Sequence, residues 1–227
     1  MTKLSTVTLC AISSVRIDET LRALEQSMRS IAFANVLFLT DKEVLAPHEG
    51  ITIIPIEQLD YDGYSHFIIY KLKDYINTDF VLIVQHDGYV LRPEKWSDEF
   101  LRYDYIGAPW PDHVHFTPQG MPVRVGNGGF SLRSKKLLSM PHALNLPFTD
   151  NGTGYFHEDG VICAYHRKAL EDAGVLFAPV EVAARFSHET DCKESAWKPF
   201  GFHGSKHVWP RILWPIKKLF RQFNIHI

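Results

Sequence analysis

The stretch that most constrains this chain is Phe80-Val81-Leu82-Ile83-Val84, five apolar residues followed at once by Gln85-His86-Asp87-Gly88. A short apolar run bounded by polar residues reads as a strand buried on both faces, as in a parallel sheet covered by helices. Open α/β sheets gather their ligands beyond the carboxyl ends of such strands, which is where Gln85, His86 and Asp87 fall. Gly88 lets the backbone turn there. A lone carboxylate at a strand end also suits an ordinary solvated turn, so Asp87 needs partners from elsewhere in the chain.

The residues before it supply the rest of such a sheet. Residues 6–12 read as a first strand, followed by a Ser13-Ser14-Val15-Arg16 loop. Leu21, Leu24, Met28 and Ile31 then recur at helical spacing, with Asp18 placed to cap the helix. Residues 36–39, ending in Thr40-Asp41, and residues 51–56 read as two more strands. Residues 64–76 can place Phe67, Ile68, Leu72, Tyr75 and Ile76 on one helical face. Strands alternating with helices imply an α/β fold with a doubly wound, mostly parallel sheet in one domain, 1–205. No Gly-x-Gly-x-x-Gly follows the first strand and no Gly-Lys-Ser/Thr occurs, which argues against the usual dinucleotide and ATP sites. The polar groups near strand ends and the adjacent helix that could meet a nucleotide are Ser13, Arg16, Asp41 and Lys71, each equally readable as a surface residue.

Beyond Asp87 the pattern loosens. A short helix is expected over 93–101, a strand over 105–110 ending at Trp110, and a Pro-, His- and Gly-rich loop over 111–123. Asn127-Gly128-Gly129 precedes the apolar Phe130-Ser131-Leu132, which suggests either a backbone that approaches a ligand closely or a simple bulge. A short helix is expected over 134–140 and an irregular loop over 145–156. Glu158-Asp159 opens a helix running to 173, where acids favour the helix dipole and could equally serve as a general base. Residues 175–180 read as a strand and 182–186 as its continuation at a sheet edge. Phe200-Gly201-Phe202-His203-Gly204 sets an imidazole among small neighbours that leave room for a ligand.

Charge separates the last segment from the rest. Residues 204–227 hold five of the 24 Lys and Arg and none of the 26 Asp and Glu, so the remaining body is net acidic and not suited to nucleic acid. The tail, 206–227, places Ile212, Ile216, Leu219, Phe220 and Phe223 at helical spacing among basic residues, with Trp209 and Trp214 near its start. Such a helix can lie on an anionic membrane surface, or dock on protein. Three scattered cysteines, Cys10, Cys163 and Cys192, read as reduced thiols. With no signal-peptide pattern or membrane-length apolar run, the expected location is cytoplasmic, peripheral on the inner face of the plasma membrane.

Taken together, Gln85-His86-Asp87-Gly88, Gly126-Asn127-Gly128-Gly129-Phe130-Ser131-Leu132-Arg133, Glu158-Asp159 and Phe200-Gly201-Phe202-His203-Gly204 resemble, in order and spacing, the motifs of GT-A fold glycosyltransferases. The pattern is most similar to a bacterial family catalogued as a domain of unknown function, and spans roughly residues 5 to 205. The resemblance implies a GT-A-like mixed sheet and transfer of a sugar from a nucleoside-diphosphate sugar to a glycan or lipid-linked acceptor, with inversion. It implies Mn²⁺ or Mg²⁺ as cofactor. Asp87 matches the second aspartate of the Asp-x-Asp motif, Gln85 replaces the first beside His86, and His203 matches the late histidine of the metal site. Gly128 and Gly129, with Asn127 and Trp110, match the donor and acceptor pocket, and Asp159, then Glu158, the base. Hard oxygen ligands suit both ions, and an imidazole shifts the preference toward Mn²⁺. A nucleotidyltransferase making sugar nucleotides and a non-catalytic nucleotide- or glycan-binding domain remain as alternatives.

Overall fold

A computed structural model describes residues 1–44, 49–111, 123–148, 157–190, 192–196 and 198–204. The tail and most of the loop expected over 111–123 lie outside the described residues, as does the second half of that expected over 145–156. The chain opens with β1 (Thr2–Ile12), α1 (Ile17–Met28), β2 (Ile31–Thr40) and β3 (Thr52–Pro55). Next comes α2 (Tyr61–His66), prolonged by a π turn, Phe67–Lys71, and a 3₁₀ turn, Leu72–Asp74. The strands β4 (Phe80–Val84), β5 (Gly88–Val90), β6 (Tyr105–Ile106), β7 (Ala108–Pro109), β8 (Val125–Gly126) and β9 (Phe130–Ser134) follow. The remainder is α3 (Lys135–Ala143), α4 (Glu158–Gly160), α5 (Arg167–Asp172), α6 (Val180–Phe186), β10 (Ser187–His188) and β11 (Gly201–His203).

Six strands form the central sheet in the order β3-β2-β1-β4-β9-β6. The first four are parallel, and β9 pairs antiparallel with both β4 and β6. The alternation of side chains along β1 and β4 divides the interior in two. Leu9, Ala11, Leu82 and Val84 belong to one core with Leu24 of α1, while Cys10, Ile12, Val81 and Ile83 belong to the other with Phe67, Ile68, Leu72 and Leu138. The apolar run 80–84 is thus buried on both faces, as its composition requires.

A second sheet, β10-β11-β5, lies beside the carboxyl end of the first. It is docked by an aromatic cluster in which Phe186 lies 5.2 Å from Phe130, 5.3 Å from Phe100 and 5.8 Å from Phe200, centroid to centroid. Aromatic pairs at such distances contribute about 0.5–1.5 kcal/mol beyond burial. Gly201 makes the approach possible, since a Cβ there would fall 2.2 Å from Cζ of Phe130. On the other side Ser27 Oγ of α1 accepts from the Val90 amide at 3.1 Å and pins β5.

Several local expectations are corrected. Ile31 opens β2 instead of closing α1, and Asp18 sits in the first turn of that helix, whose cap is Arg16 in the left-handed region at φ 51° with no side-chain bond. The strand expected over 105–110 is divided at Gly107 into β6 and β7, and the position demands glycine because a Cβ there would strike the Gly126 carbonyl oxygen at 1.8 Å. The helix expected over 93–101 is two 3₁₀ turns, Pro93–Lys95 and Asp98–Arg102. The strand expected over 175–180 is reduced to an isolated bridge, from Phe177 to Tyr105, and its last residue, Val180, opens α6, which begins behind Pro179 and takes in 182–186. Valines at 175, 180 and 182 suggest β structure, but Pro179 at the N-cap and Glu181 in the first turn favour a helix start.

Candidate active site

The small sheet brings distant residues together by register. Gly88 pairs with His203 across β5 and β11, so Asp87 arrives beside the histidine, and the Gly204 amide donates to the Asp87 carbonyl at 3.0 Å. Asp87 Oδ1 lies 3.4 Å from His203 Nε2 and 3.7 Å from His86 Nε2. It is buried, and no donor meets hydrogen-bond geometry with it. His203 Nδ1 stands 3.3 Å from Glu189 Oε1 and Nε2 stands 3.2 Å from Gln85 Oε1. Gln85 donates its own Nε2 to the Tyr64 hydroxyl at 2.7 Å. The Gln85 amide therefore links α2 to the histidine.

Electrostatics follow from this arrangement. Burial alone would lower His203, but Asp87 and Glu189 outweigh it and push the imidazole up to about 9. The same contact with His203 holds the Asp87 carboxyl below its usual range. His86 is lowered, chiefly by burial.

The glycines before β9 are required by what packs on them. A Cβ at Gly128 would lie 1.4 Å from Glu158 Oε1, and one at Gly129 would lie 2.1 Å from His203 Nε2. The turn is held by the Asn127 side chain, whose Oδ1 accepts from the Gly129 amide at 3.0 Å while its own backbone takes φ 69°. Asp159 Oδ2 accepts from the Gly128 amide at 3.2 Å and Oδ1 from the Gly160 amide at 2.8 Å. Glu158 is buried at the opening of α4, 2.6 Å from Arg133 Nη2. Burial drives its carboxyl up to about 7 against the restraining charge of Arg133.

These groups line a cleft of about 600 Å³ beyond the carboxyl ends of β1 and β4. Ser13, Gln85, His86, Asn127, Gly128, Gly129, Glu158, Asp159 and His203 are on its wall. Arg16, Asp41, Lys71, Trp110 and Asp87 are not, Asp87 standing 3.4 Å behind the His203 nitrogen that is. Arg16 pairs with Glu19 at 3.5 Å on the surface, Asp41 is held below its usual range first by Lys42 and then by Ser14, and Lys71 is exposed. Trp110 is buried with its indole over Gly126, where a Cβ would come within 1.8 Å of Cζ2. Sequence reasoning missed Tyr61, Tyr64, His157, Glu189 and Arg133. Tyr61 hydrogen-bonds His157 across the cleft mouth and Arg133 lies beneath Glu158.

As to a metal, Asp87 Oδ1 is an orphaned buried oxygen beside an imidazole nitrogen, a donor pair that fits Mn²⁺ or Mg²⁺ in part. Among the described residues no group of three or more His, Cys, Asp or Glu is arranged to hold an ion. Among the described residues, Asp87 and His203 are the pair that such an ion would take.

A sheet of this order with a cleft at its carboxyl edge defines a class, the GT-A fold. A crystal structure of the galactosyltransferase LgtC in complex with donor and acceptor sugar analogs matches it with a TM-score of 0.55, at 14% identity, over 94% of this chain and 94% of that one. The chain belongs to the family described as "Protein of unknown function (DUF5672)", whose model matches residues 54–203, from Ile54 within β3 to His203. No curated protein matches the sequence.

Proposed function

We propose that this protein is a metal-dependent, inverting glycosyltransferase that moves a sugar from a nucleoside-diphosphate donor to a glycan or lipid-linked acceptor. The observation that supports it most is the convergence of Asp87 and His203, from opposite ends of the motif series, beside a cleft that also holds Glu158 and Asp159. Asp87 and His203 would hold Mn²⁺ or Mg²⁺, which as a Lewis acid offsets charge growing on the departing diphosphate. Asp159 is the better placed base. It is only half-buried and reaches the cleft, whereas Glu158 is committed to Arg133. In the reaction the acceptor oxygen bonds to the anomeric carbon, the bond from that carbon to the diphosphate oxygen breaks with its electron pair, and the acceptor proton passes to Asp159. A positioned carboxylate contributes about 10²- to 10⁴-fold in rate. Ser13 and Ser14 on the cleft wall are suited to the nucleoside end of the donor.

Residues 206–227 would attach this domain to the anionic inner face of the membrane, a reading supported by their sequence alone. No helix among the described residues is long and apolar enough to cross a membrane.

The test is incubation with UDP-, GDP- and dTDP-sugars, with and without Mn²⁺. Slow, metal-dependent donor hydrolysis that disappears in Asp87→Ala is expected. Pyrophosphate exchange would instead indicate a nucleotidyltransferase, and binding without turnover a non-catalytic module.

A further inference from the structure

Glu189 belongs to no motif discussed above, yet the backbone delivers it to the metal site. In the parallel pair of β10 and β11, Ser187 faces Gly201 and His188 faces Phe202, so the next step of the register sets residue 189 beside residue 203. In the antiparallel pair on the other side of β11, His203 faces Gly88, next to Asp87. The residue just past the end of β10 and the residue just before β5 are thus carried to either side of His203, the last residue of β11. The imidazole bridges the two, with Nδ1 3.3 Å from Glu189 Oε1 and Nε2 3.4 Å from Asp87 Oδ1. Gly129 closes the third side, since the ring fills the space a Cβ would take.

We propose that Glu189 is a positioning residue for the metal site: by accepting from Nδ1–H it fixes the His203 ring so that Nε2 is the nitrogen presented beside Asp87. The inference rests on the metal-dependent reading above. Histidine ligands commonly give their second ring N–H to a carboxylate, which sets tautomer and ring orientation, and removing that partner costs about 10- to 100-fold in metal affinity. Glu189 touches neither metal nor substrate in this role and acts only through His203.

The test is a titration of ¹⁵N-labelled protein with MnCl₂ alone, following paramagnetic broadening of the Gly88 and Gly204 amides, which flank the site. The parent should broaden saturably at these amides. Glu189→Ala should need about 10- to 100-fold more Mn²⁺, and Glu189→Gln, whose amide oxygen can still accept from Nδ1–H, should fall between the two. Equal titrations by parent and Glu189→Gln and Glu189→Ala overturn this inference while leaving the metal site standing. Absence of localised broadening in the parent overturns the metal-dependent function itself, and this inference with it. Should Glu189→Ala fail to fold, Glu189→Leu, which keeps bulk but cannot accept from Nδ1–H, decides the matter: an unchanged midpoint refutes the positioning role.

Discussion

Replacing Arg133 by Met should destabilise the protein in a pH-dependent way. The guanidinium and the Glu158 carboxylate are 2.6 Å apart with side-chain exposures of 2% and 6%, so neither charge can turn to water when the other is removed. Losing one partner of a buried pair costs about 3–5 kcal/mol. The size should depend on protonation of Glu158, whose carboxyl burial already pushes up to about 7 from an ordinary value of 4.5. A carboxyl raised in the folded state opposes folding increasingly as pH climbs from its unfolded to its folded value, here from 4.5 to 7. Without Arg133 its folded value rises further, so at pH 5 the lone Glu158 is neutral and the variant is closer to the parent. At pH 8 the full about 3–5 kcal/mol should appear. Urea denaturation followed by tryptophan fluorescence at both pH values measures this. Arg133→Met/Glu158→Leu, with both charges gone, should recover to within about 1–2 kcal/mol of the parent. A double variant as unstable as Arg133→Met, or equal losses at pH 5 and pH 8, would refute the uncompensated-charge argument and make the loss one of packing.

Other consequences are sharper at the site. Gly129→Ala puts a methyl 2.1 Å from His203 Nε2 and must displace the ring, so metal-dependent donor hydrolysis should fall at least about tenfold, against a loss of stability of only about 1–3 kcal/mol. Unaltered hydrolysis would show that the ring can move without consequence. Asp159→Asn should lower kcat by about 10²- to 10⁴-fold with little change in donor KM, and a loss confined to KM would remove Asp159 from the role of base. Iodoacetamide at pH 8 should label Cys192 and spare Cys10, which is fully buried with its thiol pushed up to about 12; mass spectrometry of the native protein checks this.

What could be read from the chain was what depends on local pattern. The run 80–84 announces a doubly buried strand because it is short, β-branched and bounded by polar residues, and the structure places it at the centre of the sheet. The helix ending at Met28 was overextended because Ile31 falls at helical spacing, although its side chain is needed in β2. Segment 175–186 misled through its β-branched valines, where the decisive signal was Pro179. The site is legible only in part, since it is made by register. Nothing local in Ser187-His188-Glu189 says that β10 will run parallel to β11, so Glu189 reads as one more surface acid. Arg133 is hidden for a related reason. It stands near the end of a strand, where an arginine usually reaches water, but β9 lies between β4 and β6, so its neighbours are Val81 and Tyr105. Gln85, read as a defect in a metal motif, becomes intelligible only once Tyr64 and His203 are seen at its two ends.

The charge of the cleft bears on how a diphosphate could enter it. Its wall carries Asp60, Glu158, Asp159 and Glu189, and among the described residues on it there is no Lys or Arg. Arg133, the cation nearest the floor, is neutralised by Glu158, and Arg16 points its charge toward Glu19 on the surface. A diphosphate brought here alone would meet carboxylates of its own sign in a partly desolvated space, where such repulsion is stronger than in water. Of the candidate countercharges on the wall, His86 is lowered by burial, and His203 spends its charge between Asp87 and Glu189. A divalent ion held by Asp87 and His203, as proposed above, would reverse that balance by adding two positive charges. If the proposed metal-dependent function holds, donor binding, and not only turnover, should depend on the ion, which an equilibrium titration of the donor with and without Mn²⁺ measures.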